Sequence, residues 1–229
     1  MTLALERVSV SFGAMLALHG VTLRVDPGER LAVVGPNGAG KTTLLDAIGG
    51  LVRLSAGRIT LGGADLSGLA PEAVARHGVA RTFQSARLFP HLTVSENVRC
   101  GRRLDAAPWL EAVGLASRRR ELALALTPGE SRRLELARAL AGNPRLLLLD
   151  EPCGGLTAAE SEAMAALIES TQAPGRTVIL VEHKLDVVRR LCERAVVLHL
   201  GETIFDGPSR SLAADPRVLA AYLGGARTA

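Results

Sequence analysis

The amino-acid sequence predicts an α/β protein with a mostly parallel sheet, and two patterns support this prediction. Strand-like segments alternate with helical ones along most of the chain, which is typical of parallel strands joined by crossover helices. Two strand-like segments, RLLLLD at 145–150 and TVILV at 177–181, are almost continuously apolar, as strands buried on both faces of a sheet are. A helical stretch between Thr93 and Ala141 interrupts the alternation, so we expect a helical subdomain inserted into the core.

The first part of the chain is dominated by strand patterns. Apolar and polar residues alternate through residues 3–34, with a turn at 26–29. A helix follows and is expected to run to about Leu51. After it, the segment GRITLGGADL predicts a short hairpin with Gly62 and Gly63 at its turn.

Later helices are marked by their start signals. The pattern Thr-x-x-Glu, in which the two side chains cap the first backbone N–H groups of a helix, occurs at Thr93, Thr127 and Thr157. Between the first two we expect two further helical segments, PWLEAVGL at 108–115 and ELALAL at 121–126.

The segment LAVVGPNGAGKTTLL at 31–45 predicts a nucleotide site. It combines an apolar strand, a glycine-rich loop and the first turn of a helix, and it fits the pattern G-x-x-x-x-G-K-[ST]. Glycines let successive backbone N–H groups point at an anion, and the helix N-terminus adds partial positive charge. The alternative is a glycine-rich turn that happens to contain a lysine; the flanking strand and helix favour the nucleotide site. The predicted residues are Gly35, Asn37, Gly38, Ala39, Gly40, Lys41, Thr42 and Thr43.

Each charged or hydroxyl group of this loop has an expected partner. Lys41 supplies a full positive charge for the β- and γ-phosphates, and the Thr42 hydroxyl can bind Mg²⁺. Asp150 and Glu151 end a strand at the edge where open parallel sheets bind their ligands. We expect Asp150 to bind Mg²⁺ and Glu151 to polarise the attacking water. Acids at a strand end can also cap the next turn, but the phosphate loop upstream favours the catalytic interpretation.

Composition and charge argue against other classes of partner. The net charge is only +4, and the basic run at 118–120 has no interleaved aromatic residues, so it predicts a solvated helix face and no nucleic-acid partner. The three cysteines are far apart, which predicts free thiols in a reducing compartment. No segment resembles a signal peptide or a membrane span, so we expect a soluble, cytoplasmic protein.

The order of these motifs resembles that of the ATP-binding cassette (ABC) ATPases from about residue 3 to 223. The shared order is phosphate loop, Phe-Gln, capped helix, LLLLDE and Glu-His. The resemblance implies a P-loop NTPase fold with an N-terminal antiparallel β subdomain. It also implies a single ABC ATPase domain over 1–229, with the helical subdomain at about 85–143.

Three more site residues are implied by the resemblance. Gln84 corresponds to the glutamine that senses Mg²⁺ and the attacking water, and therefore counts as both a catalytic and a metal-site residue. His183 corresponds to the histidine that contacts the γ-phosphate, and Phe12 to the aromatic residue on which adenine stacks. From the residues alone, an ordinary polar histidine at a strand end and an ordinary core phenylalanine remain open.

The segment Leu126–Leu140 aligns with the ABC signature LSGGQ-x-R but departs from it: Thr127 stands for Ser, Pro128 for Gly and Glu130 for Gln. In the family this helix start faces the γ-phosphate bound by the other subunit of a head-to-tail dimer. Thr127 and Gly129 are therefore expected to bind the partner's ATP, although the same residues also fit an ordinary helix start. If the Glu130 carboxylate points inward, Glu130→Gln should raise ATPase activity.

Two stretches resemble the ATPase subunits of branched-chain amino-acid importers: RTFQSARLFPHLTVSENV and DPRVLAAYLG. This implies an ATP- and Mg²⁺-dependent ATPase that powers an importer from the inner face of the membrane. The implied partners are a second ATPase subunit, permease subunits docked at residues 85–91 and, indirectly, a solute-binding protein. The stretch from Arg99 to Leu126 is shorter than in such importers.

Other functions stay open at this level. One is the ATPase of another ABC system, such as urea or amide uptake or lipid export. Another is a non-transport ABC protein acting on ribosomes or DNA, which usually carries two cassettes or a coiled-coil insertion. A third is a regulatory nucleotide-binding subunit, which the complete set Lys41, Asp150, Glu151 and His183 argues against.

Overall fold

The computed structural model describes residues 1–100 and 103–224, which form two sheets, eight α-helices and three short 3-10 segments. The strands are β1 (Leu3–Phe12), β2 (Met15–Val25), β3 (Arg30–Val34), β4 (Ala56–Leu61), β5 (Ala64–Asp65), β6 (Val79–Arg81), β7 (Leu146–Asp150), β8 (Thr177–Val181), β9 (Arg194–His199) and β10 (Glu202–Pro208). The helices are α1 (Lys41–Ile48), α2 (Pro71–Arg76), α3 (Val94–Arg99), α4 (Ala107–Ala112), α5 (Pro128–Leu140), α6 (Ala158–Ser170), α7 (Leu185–Leu191) and α8 (Pro216–Gly224).

The larger sheet has the strand order β10-β9-β3-β8-β7-β6, and all its pairings are parallel except that of β9 with β10. Its central strands are buried on both faces. In β3, Leu31 and Val33 pack into one apolar cluster, whereas Ala32 and Val34 pack into the other. Because successive side chains of a strand point to opposite faces, a continuously apolar strand serves two cores. The predicted parallel core is confirmed.

The smaller sheet is antiparallel, with the order β2-β1-β4-β5. Its apolar side chains share one cluster with α1 and one face of the parallel sheet, while residues of α5, α6, α7 and α8 cover the other face. The hairpin turn lies at Gly62 and Gly63, with Leu61 paired to Ala64. The N-terminal antiparallel subdomain is thus confirmed.

Helices α3, α4 and α5 lie between β6 and β7 and enclose an apolar cluster of their own. Val94, Val98, Leu110 and Leu134 are fully or almost fully buried in it. The predicted inserted helical subdomain is therefore present. Its bounds at about 85–143, and the extent of a single domain over 1–229, stay predictions.

The three Thr-x-x-Glu capping boxes are confirmed at the starts of α3, α5 and α6. The helical prediction for 121–126 is wrong, because this segment contains only a 3-10 turn at Ala123–Ala125. Its leucines and alanines alternate with period two, and the Ala123 N–H donates to the Leu92 carbonyl at 3.0 Å, outside any helix. Helix α1 also ends at Ile48, before the expected Leu51, since two glycines follow it. Within the described ranges, no helix has the length and apolar character needed to cross a bilayer.

Candidate nucleotide site

The phosphate loop joins β3 to α1 in a conformation that requires glycine. At Gly40 the backbone has φ +101°, and an added Cβ would lie 2.7 Å from the Ala17 carbonyl oxygen. Gly40 is also the N-cap of α1, and no side chain caps the first N–H groups of this helix. Backbone N–H groups without an intrahelical partner form a site for an anion such as phosphate.

Lys41 is held beneath the loop by backbone oxygens. Its Nζ donates hydrogen bonds to the carbonyl of Gly35 at 2.8 Å and of Pro36 at 3.0 Å. Burial lowers the pKa of Lys41, whereas the nearby carboxylates of Glu151 and Asp150 act in the opposite direction. The ammonium group is therefore fixed close to both acids and to the loop, where a bound phosphate can take over its hydrogen bonds.

A cavity of about 570 Å³ opens over the loop. One side is polar and formed by residues 37–43, Gln84 and Glu151. The rest of its lining is apolar and formed by Phe12, Met15, Leu16, Ala17 and Leu200. A cavity with one apolar wall and one wall of phosphate-binding groups suits a nucleotide, whose base and phosphates differ in the same way.

Of these apolar residues, the family resemblance implied only Phe12, which is 47% exposed and therefore not an ordinary core residue. The structure adds Met15, Leu16 and Leu200, which are also exposed. Met15 is the strand partner of Phe12 across the β1–β2 hairpin, so a hairpin at Phe12 would have indicated it. Leu200 comes from the distant β9–β10 turn, for which the sequence carries no local signal.

Glu151 is the centre of the predicted catalytic group. Its Oε1 lies 3.0 Å from His183 Nε2, and its Oε2 accepts a hydrogen bond from Gln84 Nε2 at 3.2 Å. The backbone of Glu151 has φ +47°, which is uncommon for a residue other than glycine and is concentrated at functional sites. The structure thus brings together three predicted residues that come from three separate segments of the chain.

Asp150 is buried at the end of β7, with 1% of the residue exposed. Its Oδ2 accepts a hydrogen bond from Arg81 Nη2 at 2.9 Å, while its Oδ1 is buried without a partner among the described residues. Burial raises the pKa of Asp150, and the Arg81 guanidinium opposes that rise. A buried carboxylate oxygen that has no partner within the described ranges matches the oxygen ligands that Mg²⁺ prefers.

Glu182, which sequence reasoning missed, orders the segment that carries His183. It is 2% exposed, and its carboxylate accepts hydrogen bonds from the backbone N–H groups of Cys153 at 2.8 Å, His183 at 2.9 Å and Lys184 at 3.3 Å. It therefore joins the turn after Glu151 to the end of β8. The available signal was a lone acid directly after the apolar strand TVILV.

The loop that carries Gln84 is held by two side chains of α5. Arg132 donates to the carbonyls of Phe83, at 2.8 Å, and of Gln84. Glu135 Oε1 accepts from the N–H groups of Phe83 at 3.3 Å and Arg87 at 3.0 Å. Glu135 is buried, and this burial raises its pKa. The backbone of the loop is therefore bonded through both its carbonyl and its N–H groups to one helix.

The residues aligned with the ABC signature do not line the cavity at the phosphate loop. Thr127 and Gly129 border a separate cavity of about 220 Å³. The Glu130 carboxylate accepts a hydrogen bond from the Thr127 N–H at 2.9 Å and pairs with Arg118. These two partners hold the pKa of Glu130 below its usual value. The carboxylate is thus turned back onto its own helix start and neutralised, so the condition for a rise in activity on Glu130→Gln is absent from this arrangement.

A mostly parallel sheet with a glycine-rich phosphate loop, and with acids at the ends of the neighbouring strands, defines a P-loop nucleotide-binding protein. Comparison with known families narrows this class. Residues 18–154 match the family model described as ABC transporter. The chain belongs to this family, whose members are ATPases, and the predicted resemblance is confirmed.

Three similar proteins illustrate this membership. The high-affinity branched-chain amino acid transport ATP-binding protein BraF of Pseudomonas aeruginosa is 35% identical over 97% of both chains. The aliphatic sulfonates import ATP-binding protein SsuB of Albidiferax ferrireducens is 40% identical over 89% of this chain and 73% of its own length. The ADP conformation of an ATP-binding cassette of an ABC transporter superposes with a TM-score of 0.89 at 27% identity, over 98% and 99% of the two chains.

Proposed function

We propose that this ABC ATPase powers a membrane importer of branched-chain or related amino acids. The observation that carries the proposal is the similarity to BraF, which extends over 97% of both chains. The two stretches around Gln84 and at the C-terminal helix support the same assignment. We infer a single ATPase domain over 1–229, with its helical subdomain at about 85–143.

In this proposal, ATP lies across the cavity over the phosphate loop. Adenine packs on Phe12 and Met15, and Lys41 and the N–H groups of residues 37–43 bind the phosphates. Thr42, Gln84 and Asp150 would hold Mg²⁺; Oδ1 of Asp150, which has no partner in the described part of the chain, supports this assignment. When bound, Mg²⁺ neutralises charge on the β- and γ-phosphates.

Hydrolysis is assigned to the group centred on Glu151. Its carboxylate orients the attacking water and accepts a proton from it. Gln84 and His183 flank this carboxylate at hydrogen-bond distance and limit the positions that it can adopt. We also assign the γ-phosphate contact to His183, and the 39% exposure of its side chain supports this assignment.

The proposed function requires protein partners. A second ATPase subunit places its signature helix start against the ATP of this chain. In the same way, Thr127 and Gly129 of this chain contact the ATP of the second subunit. Permease subunits hold the pair on the inner face of the cell membrane and connect it indirectly to a solute-binding protein. We assign residues 85–91 to the permease contact, because Phe89 is 48% exposed and the neighbouring Leu92 extends this exposed apolar surface. Leu88, in contrast, packs into the helical subdomain.

A second candidate solute is an aliphatic sulfonate. The similarity to SsuB has the higher identity, 40%, although it covers less of both chains. The alignment with BraF extends over 248 positions, more than the 229 residues of this chain, so the importer subunit contains insertions relative to it. The two solutes make opposite predictions in one uptake experiment.

The test is uptake of labelled leucine, isoleucine and valine, and separately of an alkanesulfonate, by host cells with native chain or Glu151→Gln. Glu162→Gln is the matched control, because this glutamate side chain is 73% exposed and lies outside the cavity. Collapse of amino-acid uptake with Glu151→Gln alone, at matched expression, is the expected result. If Glu151→Gln leaves amino-acid uptake unchanged and abolishes sulfonate uptake, the importer is one for aliphatic sulfonates.

The permease contact has its own test. Phe89→Asp should uncouple transport, because it places a charge on the exposed apolar surface, while the isolated subunit keeps its ATPase activity. Paired measurements of uptake in cells and of ATP hydrolysis by the purified chain check this. Loss of both activities would indicate misfolding instead of a lost contact.

A further inference from the structure

The side chain of Arg81 joins two acids that belong to different parts of the site. We propose that Arg81 is a positioning residue for Asp150: it occupies one carboxylate oxygen and so fixes the other as the oxygen available to a divalent cation. This inference rests on the proposed role of Asp150 in holding Mg²⁺. It assigns to Arg81 a function that none of the sequence motifs assigned.

The contacts of Arg81 are made at both ends of its guanidinium group. Nη2 donates to Asp150 Oδ2 at 2.9 Å, and Nη1 contacts Asp46 Oδ1. The Arg81 side chain is 7% exposed and that of Asp150 is 1% exposed, so this bridge is shielded from solvent. Arginine suits this place because its planar, forked guanidinium can bind two carboxylates at once.

The bridge connects three elements that carry site residues. Arg81 ends β6, three residues before Gln84. Asp46 lies in α1, which begins with Lys41, and Asp150 ends β7. A change in the position of any of these elements changes the geometry of the bridge, so Arg81 fixes the carboxylate of Asp150 relative to the phosphate loop.

The two oxygens of the Asp150 carboxylate differ in their hydrogen bonding, and this difference also supports the proposal. With Oδ2 bound to Arg81, Oδ1 is buried and has no hydrogen-bond partner within residues 1–100 and 103–224. A buried polar atom without a partner is costly and rare and needs an explanation, which a bound cation supplies for Oδ1. The backbone N–H of Asp150 donates to Thr82 Oγ1 at 3.3 Å, so the chain next to Arg81 also orders the backbone of this residue.

The charge balance supports the same role. Asp46, Asp150 and Glu151 cluster around Lys41 and Arg81. Partners in the outer shell of a metal site orient its ligands, and their loss typically weakens metal binding about 10- to 100-fold. Arg81 also lies over the ring of Phe83, 5.0 Å from its centre, which limits its own freedom.

The experiment measures metal and nucleotide binding separately in Arg81→Lys and Arg81→Met. Binding of Mn²⁺ in the presence of ADP is followed by electron paramagnetic resonance, and binding of a fluorescent ADP analogue is followed in EDTA. We expect the Kd for Mn²⁺ to rise about 10-fold or more, while the Kd for nucleotide without metal changes less than about 2-fold. Arg58→Met, in an exposed ion pair with Asp65, is the matched control and should change neither constant.

Two more variants keep the result interpretable. Asp46→Ala leaves Arg81 bound to Asp150 alone, so it should weaken Mn²⁺ binding by a smaller factor, even if an Arg81 variant fails to fold. Asp150→Asn should remove the metal site itself. Weakened binding in Asp150→Asn, with unchanged binding in folded Arg81 and Asp46 variants, would overturn the role of Arg81. Unchanged Mn²⁺ binding in Asp150→Asn would instead overturn the proposed function of Asp150.

Discussion

The start of α1 differs from the starts of α3, α5 and α6 in what can bind the first backbone N–H groups of the helix. Every helix begins with backbone N–H groups that lack an intrahelical partner. In α3, α5 and α6 a threonine and a glutamate of the same helix bind these groups. Helix α1 begins at Lys41 after its N-cap Gly40, has no side-chain cap among the described residues and opens onto the cavity over the phosphate loop. In α1 the missing cap leaves the first N–H groups available to a phosphate.

Helix α5 stands between these two cases. It has a capping box like α3 and α6, yet in the proposed dimer it faces the ATP of the partner. Among the described residues, only its glutamate of the three pairs with an arginine from outside the helix, Arg118. In α5 the glutamate therefore caps the helix and has its negative charge neutralised by Arg118. The Thr127 hydroxyl and the Gly129 N–H can then face an anion without an unpaired carboxylate beside them.

The largest effect is expected from removing the charge at the open helix start. Lys41→Met should lower ATPase activity and nucleotide affinity at least about 100-fold, because no other cation of the loop can replace Nζ at the phosphates. ATP hydrolysis and binding of a fluorescent nucleotide measure this, with Arg58→Met as a control for loss of a surface charge. Retained affinity in Lys41→Met would mean that the backbone N–H groups suffice.

A smaller effect separates the role of the cap in α5 from its role in α3. Thr127→Ala and Thr93→Ala should each lower the free energy of unfolding by about 1 kcal/mol, since each removes one N-cap. Only Thr127→Ala should also lower ATPase activity, by several-fold, because only this hydroxyl is assigned to the partner's ATP. Urea unfolding and ATPase assays on the same preparations test both. Equal ATPase activities would show that Thr127 is a helix cap only.

The Arg118–Glu130 pair gives a third comparison. Glu130→Gln alone should change ATPase activity less than about 2-fold, because the carboxylate is already neutralised by Arg118. Arg118→Met should weaken ATP-dependent dimerisation, measured by sedimentation in a Glu151→Gln background, since it frees the charge of Glu130. The double variant Arg118→Met, Glu130→Gln should restore it. A rise in activity with Glu130→Gln alone would place this carboxylate near the phosphate after all.

The smallest effect concerns the pH dependence of the caps. Hydrogen bonds from Thr93 lower the pKa of Glu96 from 4.5, and those from Thr157 do the same for Glu160. The ionised form therefore stabilises the fold, fully so above pH 4.5, and this stabilisation is lost as pH falls through the lowered pKa. Glu96→Gln should make the decline of Tm between pH 7 and pH 3 less steep. An unchanged slope would show that the pKa of Glu96 does not contribute to the pH dependence of stability.

Local signals predicted the fold and the inner part of the site. The phosphate loop, the three capping boxes and the apolar strand before Asp150 each lie within one segment, where spacing and residue type are sufficient. Glu151, Gln84 and His183 also meet as the resemblance implied, although the chemical role of each stays a prediction. The apolar wall at Leu200 depends on the packing of distant turns, which no local pattern encodes.

The residues that sequence reasoning missed share a physical reason. Arg81 contacts Asp46 and Asp150, which are 35 and 69 positions away in sequence. Glu182 binds its own neighbours but also the N–H of Cys153, 29 positions away. Both residues stand inside recognised stretches, yet no pattern gave either one a role of its own. Segment 121–126 was misassigned because apolar residues repeat every two positions, and its N–H groups bond to the entry of α3 instead of to a helix. Long-range partners decide such positions, so residue type alone cannot.

The double attachment of the Gln84 loop to α5 has a mechanical consequence. Strand β6 has only three residues and lies at the edge of its sheet, so it anchors the loop weakly. Arg132 donates hydrogen bonds to the carbonyl groups of the same loop, and Glu135 accepts hydrogen bonds from its N–H groups. Through these bonds, any displacement of helix α5 would also displace the backbone at Gln84.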